Sequence, residues 1–194
     1  MRERSEMEYK AALGVQVPVL GFGTWLLKGD QARAMTAAAL DLGYRHIDTA
    51  QIYRNEAEVG KGMAESKLAR DQYFLTTKVW PDNYEAGKFL PSVRESLDKL
   101  GVDQVDLLLL HWPKKEVALA HTLDWLLEAQ QRGYAQHIGI SNHPVALMRE
   151  AERHLGSGIL FGNQAEYHAL LKQDALLAEV RRQNMLFTAY CPLA

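Results

Sequence analysis

Short apolar segments alternate along this chain with longer stretches in which apolar residues recur every three to four positions. The short segments predict seven β-strands, at residues 19–25, 44–50, 73–80, 105–112, 137–141, 160–167 and 186–192. The longer stretches predict six helices, at residues 30–42, from about 55 onward, and at 91–100, 117–132, 144–155 and 173–183. Strict alternation of strand and helix is typical of a parallel sheet with helical crossovers.

Residues suited to helix ends stand at the predicted boundaries. Asp30 is a suitable N-cap for the first helix. Glycines follow the first, third and fourth helices, at Gly43, Gly101 and Gly133, where a left-handed residue commonly ends a helix. The strand at 105–112 is almost continuously apolar, which indicates that both of its faces are buried.

The loops decide between an open doubly wound sheet and a closed barrel. A dinucleotide-binding open sheet carries G-x-G-x-x-G after its first strand, but Gly21 and Gly23 are followed by no third glycine at that spacing. Polar residues follow strands two to six, and a closed barrel brings all these strand ends to one face. The sequence therefore predicts an α/β fold, a (β/α)8 barrel of the TIM type, as a single incomplete domain over residues 1–194. Such a barrel takes about 250 residues, so we expect its eighth strand to lie outside this sequence.

Lys78 lies within an otherwise apolar strand, where an unpaired ammonium group is costly to bury. Asp48, at a similar height on the neighbouring strand, is its expected partner. The charge of Lys78 is expected to lower the pKa of the nearby Tyr53 phenol from about 10, so that it can donate a proton near neutral pH. His111, at the end of the fourth strand, can hydrogen-bond a carbonyl oxygen. Each residue alone also fits a structural role, and only their common placement on one barrel face favours catalysis.

The seven histidines show no metal-binding spacing. His-x-His, His-Glu-x-x-His and a cysteine cluster are all absent from the sequence. His46 and Asp48 share a strand face, but we favour a hydrogen-bonded core histidine, one layer deeper in the barrel than Asp48, over a ligand. We predict no metal site.

Composition narrows the class of protein. A formal net charge of −2 gives no general attraction to nucleic acid or to an acidic membrane surface. The apolar runs are far shorter than the about 20 residues that cross a bilayer, and the polar N-terminal segment lacks the apolar core of a secretory signal. Cys191 is the single cysteine, which fits a reducing compartment. We expect a cytoplasmic protein with no nucleic-acid or membrane partner, and the sequence leaves its oligomeric state open.

Several stretches resemble the motifs of aldo-keto reductases, in order along the chain. They are GFGTW at 21–25, GYRHIDTA at 43–50, LHWP at 110–113, IGISN at 138–142 and NQAEYH at 163–168. Within that family the resemblance is to the bacterial 2,5-diketogluconate-reductase-like branch. Two positions depart from the usual pattern. Cys191 stands where serine is commoner and is expected to be a small packing residue, and His143 stands where phenylalanine is frequent, with an effect expected to be local.

The resemblance implies reduction of small aldehydes or ketones to alcohols by hydride transfer from NADPH, with NADH also possible. It implies that Tyr53 is the general acid, that Lys78 and Asp48 tune it, and that His111 orients the carbonyl. Ser141, Asn142 and Gln164 would then bind the nicotinamide carboxamide, and Tyr190 would stack on the ring. The implied contacts with the inner part of the cofactor are Thr24 and Asp48. The implied substrate contacts are Trp25, Trp80, His111 and Trp112.

Other functions stay open at this stage. In the family, the residues that hold the pyrophosphate and 2′-phosphate follow strands seven and eight, so their counterparts would lie beyond Ala194. We therefore expect weak cofactor binding by this chain, and a cofactor-sensing or scaffold barrel with little activity is an alternative to a reductase. A metal-dependent barrel hydrolase is a third possibility, which stoichiometric zinc would favour. The sequence does not specify the physiological substrate.

Overall fold

The computed structural model describes residues 7–193 of the chain. An antiparallel hairpin comes first, formed by β1 (Tyr9–Ala12) and β2 (Val15–Pro18). The strands of the second sheet are β3 (Phe22–Gly23), β4 (His46–Asp48), β5 (Phe74–Val79), β6 (Val105–Leu110), β7 (Ala135–Ser141), β8 (Leu160–Glu166) and β9 (Leu186–Tyr190). The helices between them are α1 (Gly29–Leu42), α2 (Glu56–Glu65), α3 (Phe89–Leu100), α4 (Leu119–Gln131), α5 (Val145–Leu155) and α6 (Asp174–Arg182).

Every strand of the second sheet pairs in parallel with the next strand along the chain, from β3 to β9. The sheet is curled. Neighbouring strands lie about 4.8 Å apart, so β5 and β8, three steps apart, would be about 14 Å apart in a flat sheet. The rings of Phe74 on β5 and Phe161 on β8 nevertheless stack with their centroids 6.3 Å apart. The predicted fold class, a barrel of the TIM type with seven strands present, is confirmed.

Side chains alternate between the two faces of each strand and build two cores. Along β6, Leu107 and Leu109 belong to a cluster inside the curled sheet, whereas Leu108 and Leu110 pack with the surrounding helices. Ala12 and Val17 of the hairpin join the inner cluster. The hairpin therefore packs onto the interior of the curled sheet. The residues predicted to be catalytic lie at the carboxyl ends of the strands.

The structure corrects the predicted elements near the N-terminus. The predicted strand 19–25 is reduced to Phe22–Gly23, and the hairpin before it was not predicted. Asp30 is not the N-cap of α1, because the helix already begins at Gly29 and Lys28 is the capping residue.

The predicted ends of α1 and α3 are confirmed, since Gly43 and Gly101 adopt left-handed conformations with φ of +111° and +71°. Helix α4 ends at Gln131, one residue before the predicted position.

Helix α2 packs unusually closely against its neighbours. A Cβ atom on Gly60 would lie 2.6 Å from the backbone oxygen of Lys99 in α3, and one on Gly62 would meet the backbone oxygen of Arg33 in α1. Only glycine permits this approach. Because α2 begins three residues after Tyr53, this packing fixes the position of the segment that carries the tyrosine.

Within residues 7–193, no helix is both long and apolar enough to cross a membrane.

Candidate active site

The predicted catalytic residues come from three neighbouring strand ends. Asp48 is the last residue of β4, Lys78 lies next to the end of β5, and His111 directly follows β6. Tyr53 lies in a short 3-10 turn, Gln51–Tyr53, after β4. Parallel pairing of β4, β5 and β6 brings the carboxyl ends of these strands to the same edge of the sheet. The structure therefore brings all four residues together.

Lys78 is the centre of this group, with a side chain that is 1% exposed. Its ammonium group forms an ion pair with Asp48 and donates to the Thr49 backbone oxygen at 2.9 Å. It also lies 3.4 Å from the Tyr53 hydroxyl. Burial acts to lower the pKa of Lys78, but Asp48, and after it Tyr53, outweigh burial and raise that pKa above its usual value. The group therefore stays charged and keeps a positive charge beside the phenol.

The pKa of Tyr53 is raised, which corrects the predicted direction. Burial of the phenol is the largest cause and outweighs the lowering effect of Lys78, while Asp48 adds a further increase. The sequence-based prediction considered the charge of Lys78 but not the loss of solvent around the hydroxyl. The consequence is a tyrosine that holds its proton throughout the neutral range and can donate it.

His111 is held as a neutral ring beside Tyr53. Burial, and then the positive charge of Lys78, lower the pKa of His111 to about 3. The ring meets Tyr53 and Trp80 edge to face, with centroid distances of 5.7 and 5.2 Å. Its Nδ1 atom is buried without a hydrogen-bond partner among the described residues. A buried N–H without a partner is costly, so we assign the ring proton to Nε2, which can donate to a carbonyl oxygen.

The predicted carboxamide-binding residues form one hydrogen-bonded group at the ends of β7, β8 and β9. The Ser141 hydroxyl donates to the Gln164 backbone oxygen at 2.9 Å and accepts from Asn142 Nδ2 at 3.0 Å. Tyr190 donates to Asn142 Oδ1 at 2.8 Å, and Gln164 Nε2 donates to Asp48 Oδ2 at 2.8 Å. The Gln164 bond joins this group to the Lys78 ion pair, so the two predicted parts of the site are continuous.

These residues fit a nicotinamide cofactor. A carboxamide needs both donors and acceptors, and hydroxyl and amide side chains at Ser141, Asn142 and Gln164 supply both. Tyr190 stands beside them as a partly exposed aromatic ring. Thr24 is buried, and its hydroxyl oxygen has no partner among the described residues. A hydroxyl left unpaired in this way is typical of a position that meets a ligand.

The three tryptophans predicted to contact the substrate each follow the carboxyl end of a strand, Trp25 after β3, Trp80 after β5 and Trp112 after β6. Trp25 and Trp112 are 58% and 42% exposed, which excludes a role in core packing for these two side chains. Trp80 is partly buried and lies against His111. Trp80 therefore offers apolar surface beside the catalytic group, and the roles of the three indoles in substrate binding stay predictions.

Two other residues named from the sequence are placed by the structure. His46 is buried and hydrogen-bonds Thr76 Oγ1 at 3.0 Å, so it is the predicted core histidine. Cys191 is exposed and has a φ of +49°, so the prediction that it is a packing residue is wrong. Within residues 7–193, no cluster of three or more His, Cys, Asp or Glu side chains is arranged to hold a metal ion.

Sequence reasoning missed two amide side chains that flank Tyr53, of which Asn55 is buried and Gln51 is partly buried. Gln51 and Asn55 make hydrogen bonds to the loops on both sides of the site. In the sequence these amides stand two residues before and two residues after the tyrosine. That spacing does not predict a role unless the fold is known.

Acid should destabilise this protein through its buried neutral histidines. Burial lowers the pKa of His143 to about 4 and that of His111 to about 3, against an ordinary value of 6.5. As the pH falls, the histidines of the unfolded chain therefore bind protons before those of the folded chain. The contribution of the two neutral rings to the free energy of unfolding is complete above pH 6.5 and is lost as the pH falls towards 4. For His143, which is 1% exposed, the loss is about 3 kcal/mol. Urea unfolding at a series of pH values measures it.

The variant His143→Phe is the control for this prediction. It removes the titrating ring and its 2.8 Å hydrogen bond to the Ser141 backbone oxygen. The decline in unfolding free energy between pH 6.5 and 4 should then be shallower than in the wild type. Equal slopes in the two proteins would show that His143 is not buried as a neutral ring.

The chain is similar to known proteins both in sequence and in fold. A model of the Aldo/keto reductase family matches residues 19–194. The methylglyoxal reductase DkgB of Escherichia coli O157:H7 is 42% identical over 180 residues, which cover 92% of this chain and 67% of that protein. A protein assigned as a 2,5-diketo-D-gluconic acid reductase B matches in structure with a TM-score of 0.93 at 46% identity, over 98% of this chain and 67% of that one.

A further solved structure contains a cofactor. The aldo-keto reductase of Bombyx mori, in complex with NADP, matches with a TM-score of 0.85 at 31% identity, over 92% of this chain and 64% of its own. The chain thus spans about two thirds of the length of these relatives. The predicted resemblance, including its bacterial branch, is confirmed.

Proposed function

This chain belongs to the aldo/keto reductase family, and on that premise we propose that it is an NADPH-dependent oxidoreductase that reduces aldehydes or ketones to alcohols. The observation that carries the proposal is the buried ammonium group of Lys78, paired with Asp48 and within 3.4 Å of the Tyr53 hydroxyl. Packing does not explain a charged lysine in this position, because an apolar side chain would fill the same space at a lower cost in folding free energy.

Proton transfer is the part of the reaction that the chain's own residues perform. NADPH, when bound by the residues named above, would supply the hydride that the carbonyl carbon receives. Tyr53 donates its hydroxyl proton to the carbonyl oxygen, which completes the alcohol and leaves a phenolate. Lys78 stabilises that phenolate, and Asp48 keeps Lys78 charged and in place. His111 donates from Nε2 to the same carbonyl oxygen and orients it.

The remaining residues hold the reactants. Ser141, Asn142 and Gln164 would bind the carboxamide of the nicotinamide, and Tyr190 would stack on its ring. Thr24, together with Asp48, would contact the inner part of the cofactor. Trp25, Trp80 and Trp112 would exclude water from the carbonyl and bind its apolar substituent.

A small carbonyl compound is the proposed substrate. DkgB is named as a methylglyoxal reductase, so methylglyoxal is the first compound to test. NADPH is favoured over NADH because the Bombyx mori relative is in complex with NADP. The single cysteine supports a cytoplasmic location. The alternative of a scaffold or sensor barrel is not favoured, because all four residues of the catalytic group are present and in contact range.

Oxidation of NADPH in the presence of methylglyoxal tests the function. We expect consumption of NADPH that depends on both the protein and the aldehyde and that leaves the corresponding alcohol. The same assay with NADH and with added zinc or a chelator separates cofactor preference from metal dependence. Turnover that requires zinc, or none with any small aldehyde or ketone, would exclude the proposal. Binding of NADPH without turnover would favour the sensor.

A further inference from the structure

Asn55 connects three parts of the site through one buried amide. The residue is 1% exposed and is the N-cap of α2. Its Nδ2 group donates to the backbone oxygens of Thr24 at 2.8 Å and of Leu27 at 3.0 Å. Its Oδ1 accepts from the Thr49 hydroxyl at 3.1 Å, at the exit of β4. Both hydrogens of the amide are therefore used to hold the loop that follows β3.

That loop needs such support. It carries Trp25, and the next residue, Leu26, has a left-handed φ of +69°, which costs a residue with a branched side chain about 1 kcal/mol or more. Leu26 is 67% exposed and gains little from packing. The hydrogen bonds from Asn55 to Thr24 and Leu27 bracket Trp25 and Leu26. The position of Trp25 therefore depends on Asn55.

Gln51 makes the corresponding connection on the other side of Tyr53. Its Oε1 accepts from the Trp80 backbone N–H at 2.9 Å and from Asn83 Nδ2 at 2.9 Å. Its Nε2 donates to the Ser92 backbone oxygen at 3.1 Å, on α3. Gln51 is the first residue of the 3-10 turn that ends with Tyr53. The position of Trp80 is thus tied to the same turn as the tyrosine.

We propose that Gln51 and Asn55 are positioning residues that set the distances of Trp80 and Trp25 from Tyr53 and thereby determine which carbonyl substrates the site accepts. This inference rests on the proposed function of the site. Neither amide contacts the hydroxyl of Tyr53 or the ammonium of Lys78, whose partners are Asp48, Thr49 and each other. Loss of either amide therefore changes substrate fit and leaves the strength of the acid unchanged.

Methylglyoxal and phenylglyoxal are suitable probes, because they share one dicarbonyl group and differ only in a methyl or phenyl substituent. Gln51→Leu removes the acceptor for the Trp80 N–H, and Asn55→Ser removes the two-donor amide. In each variant the ratio of kcat/KM for the two substrates should shift by about tenfold, mainly through KM. The pH profile of kcat should stay where it is in the wild type.

Two further variants separate positioning from general damage. Gln51→Glu keeps a side-chain oxygen for the Trp80 N–H and should restore most of the wild-type ratio. Gln104→Leu makes the same kind of amide-to-aliphatic change at the opposite ends of the strands, where Gln104 bonds the Gly133 backbone oxygen. It should leave the ratio unchanged.

Hydrogen exchange gives a readout that does not require turnover. The Trp80 amide should exchange about tenfold faster or more in Gln51→Leu than in the wild type, because its acceptor is lost, and should stay protected in Gln104→Leu. If the wild type reduces neither glyoxal, the proposed function fails, and unchanged Trp80 exchange would also overturn the positioning role. If the wild type is active and the Trp80 amide exchanges faster in Gln51→Leu, but the ratio of kcat/KM for the two glyoxals is unchanged, the inference fails and the proposed function stands. If Gln51→Leu does not fold, Asn55→Ser decides by the same ratio.

Discussion

Replacing Tyr53 by phenylalanine should lower kcat/KM for methylglyoxal by about 10²–10⁴-fold, the range that a positioned general acid contributes. The change removes one oxygen atom, which lies 3.4 Å from Lys78 Nζ, and leaves the ring that His111 packs against. Affinity for NADPH, measured by fluorescence titration, should be nearly unchanged. A variant that reduces the aldehyde at the wild-type rate would exclude Tyr53 as the proton donor.

Tyr84→Phe is the matched control for this substitution. Tyr84 is buried, and its hydroxyl donates to the Val79 backbone oxygen at 3.3 Å, whereas the hydrogen-bond partners of the Lys78 ammonium are Asp48, Thr49 and Tyr53. Burial is the largest cause of the raised pKa in both tyrosines, and the two hydroxyls differ in their neighbours, since only that of Tyr53 lies beside Lys78. Tyr84→Phe should cost about 1 kcal/mol of stability and retain activity. Loss of activity in both variants would point to a structural cause.

The raised pKa of Tyr53 also predicts the pH dependence of reduction. The ordinary value for the phenol is 10.0, and burial moves the pKa of Tyr53 above it. The donor form therefore predominates at neutral and moderately alkaline pH, and the midpoint of any decline in rate caused by ionisation of this phenol should lie above pH 10. A kcat/KM profile for aldehyde reduction with a decline near pH 8 would contradict this assignment, provided that Tyr53→Phe lacks the same decline.

Asp48→Asn should destabilise the protein by about 3–5 kcal/mol, because it leaves a buried ammonium group without its counter-charge. Lys78 would retain the Thr49 backbone oxygen and the Tyr53 hydroxyl as acceptors, and neither carries a charge. The pKa of Lys78 should fall, since burial then acts without its main opponent. Activity should fall too, because a neutral amine does not stabilise the phenolate. Urea unfolding and steady-state kinetics measure the two effects.

The double variant Asp48→Asn/Lys78→Met distinguishes the cost of a buried charge from the loss of chemistry. With both charges removed, part of the lost stability should return, since an apolar chain of similar volume can replace a buried ion pair. Activity should stay at the level of the single variant. If Asp48→Asn alone is as stable as the wild type, the ion pair is not the constraint that the structure indicates.

The catalytic group could be predicted from the sequence because its residues lie within or just after apolar segments that are recognisable as strands. A charged Lys78 inside such a segment has few explanations, and parallel strands bring Asp48 and His111 to the same face whatever the loops do. The left-handed glycines Gly43 and Gly101 marked helix ends for a local reason that needs no tertiary contact.

Other features depend on information that a single sequence does not contain. The hairpin turns through Leu13 and Gly14, both with positive φ, where Asn-Gly is the usual signal for such a turn. The direction of the Tyr53 pKa shift follows from a balance between burial and charge, and the extent of burial is known only from the folded chain. Gln51 and Asn55 act through backbone oxygens and N–H groups of distant segments, which have no side-chain identity to recognise.

The close packing of helix α2 against α1 and α3 has a consequence for protein engineering. Gly60 and Gly62 have backbone atoms of α3 and α1 where a side chain would begin, so a mutational library that includes them would consist mostly of unfolded variants. Trp25, Leu26 and Trp112 are exposed loop residues and can accept diversity. A directed-evolution search for altered substrate range should therefore randomise those loops and keep the two glycines constant.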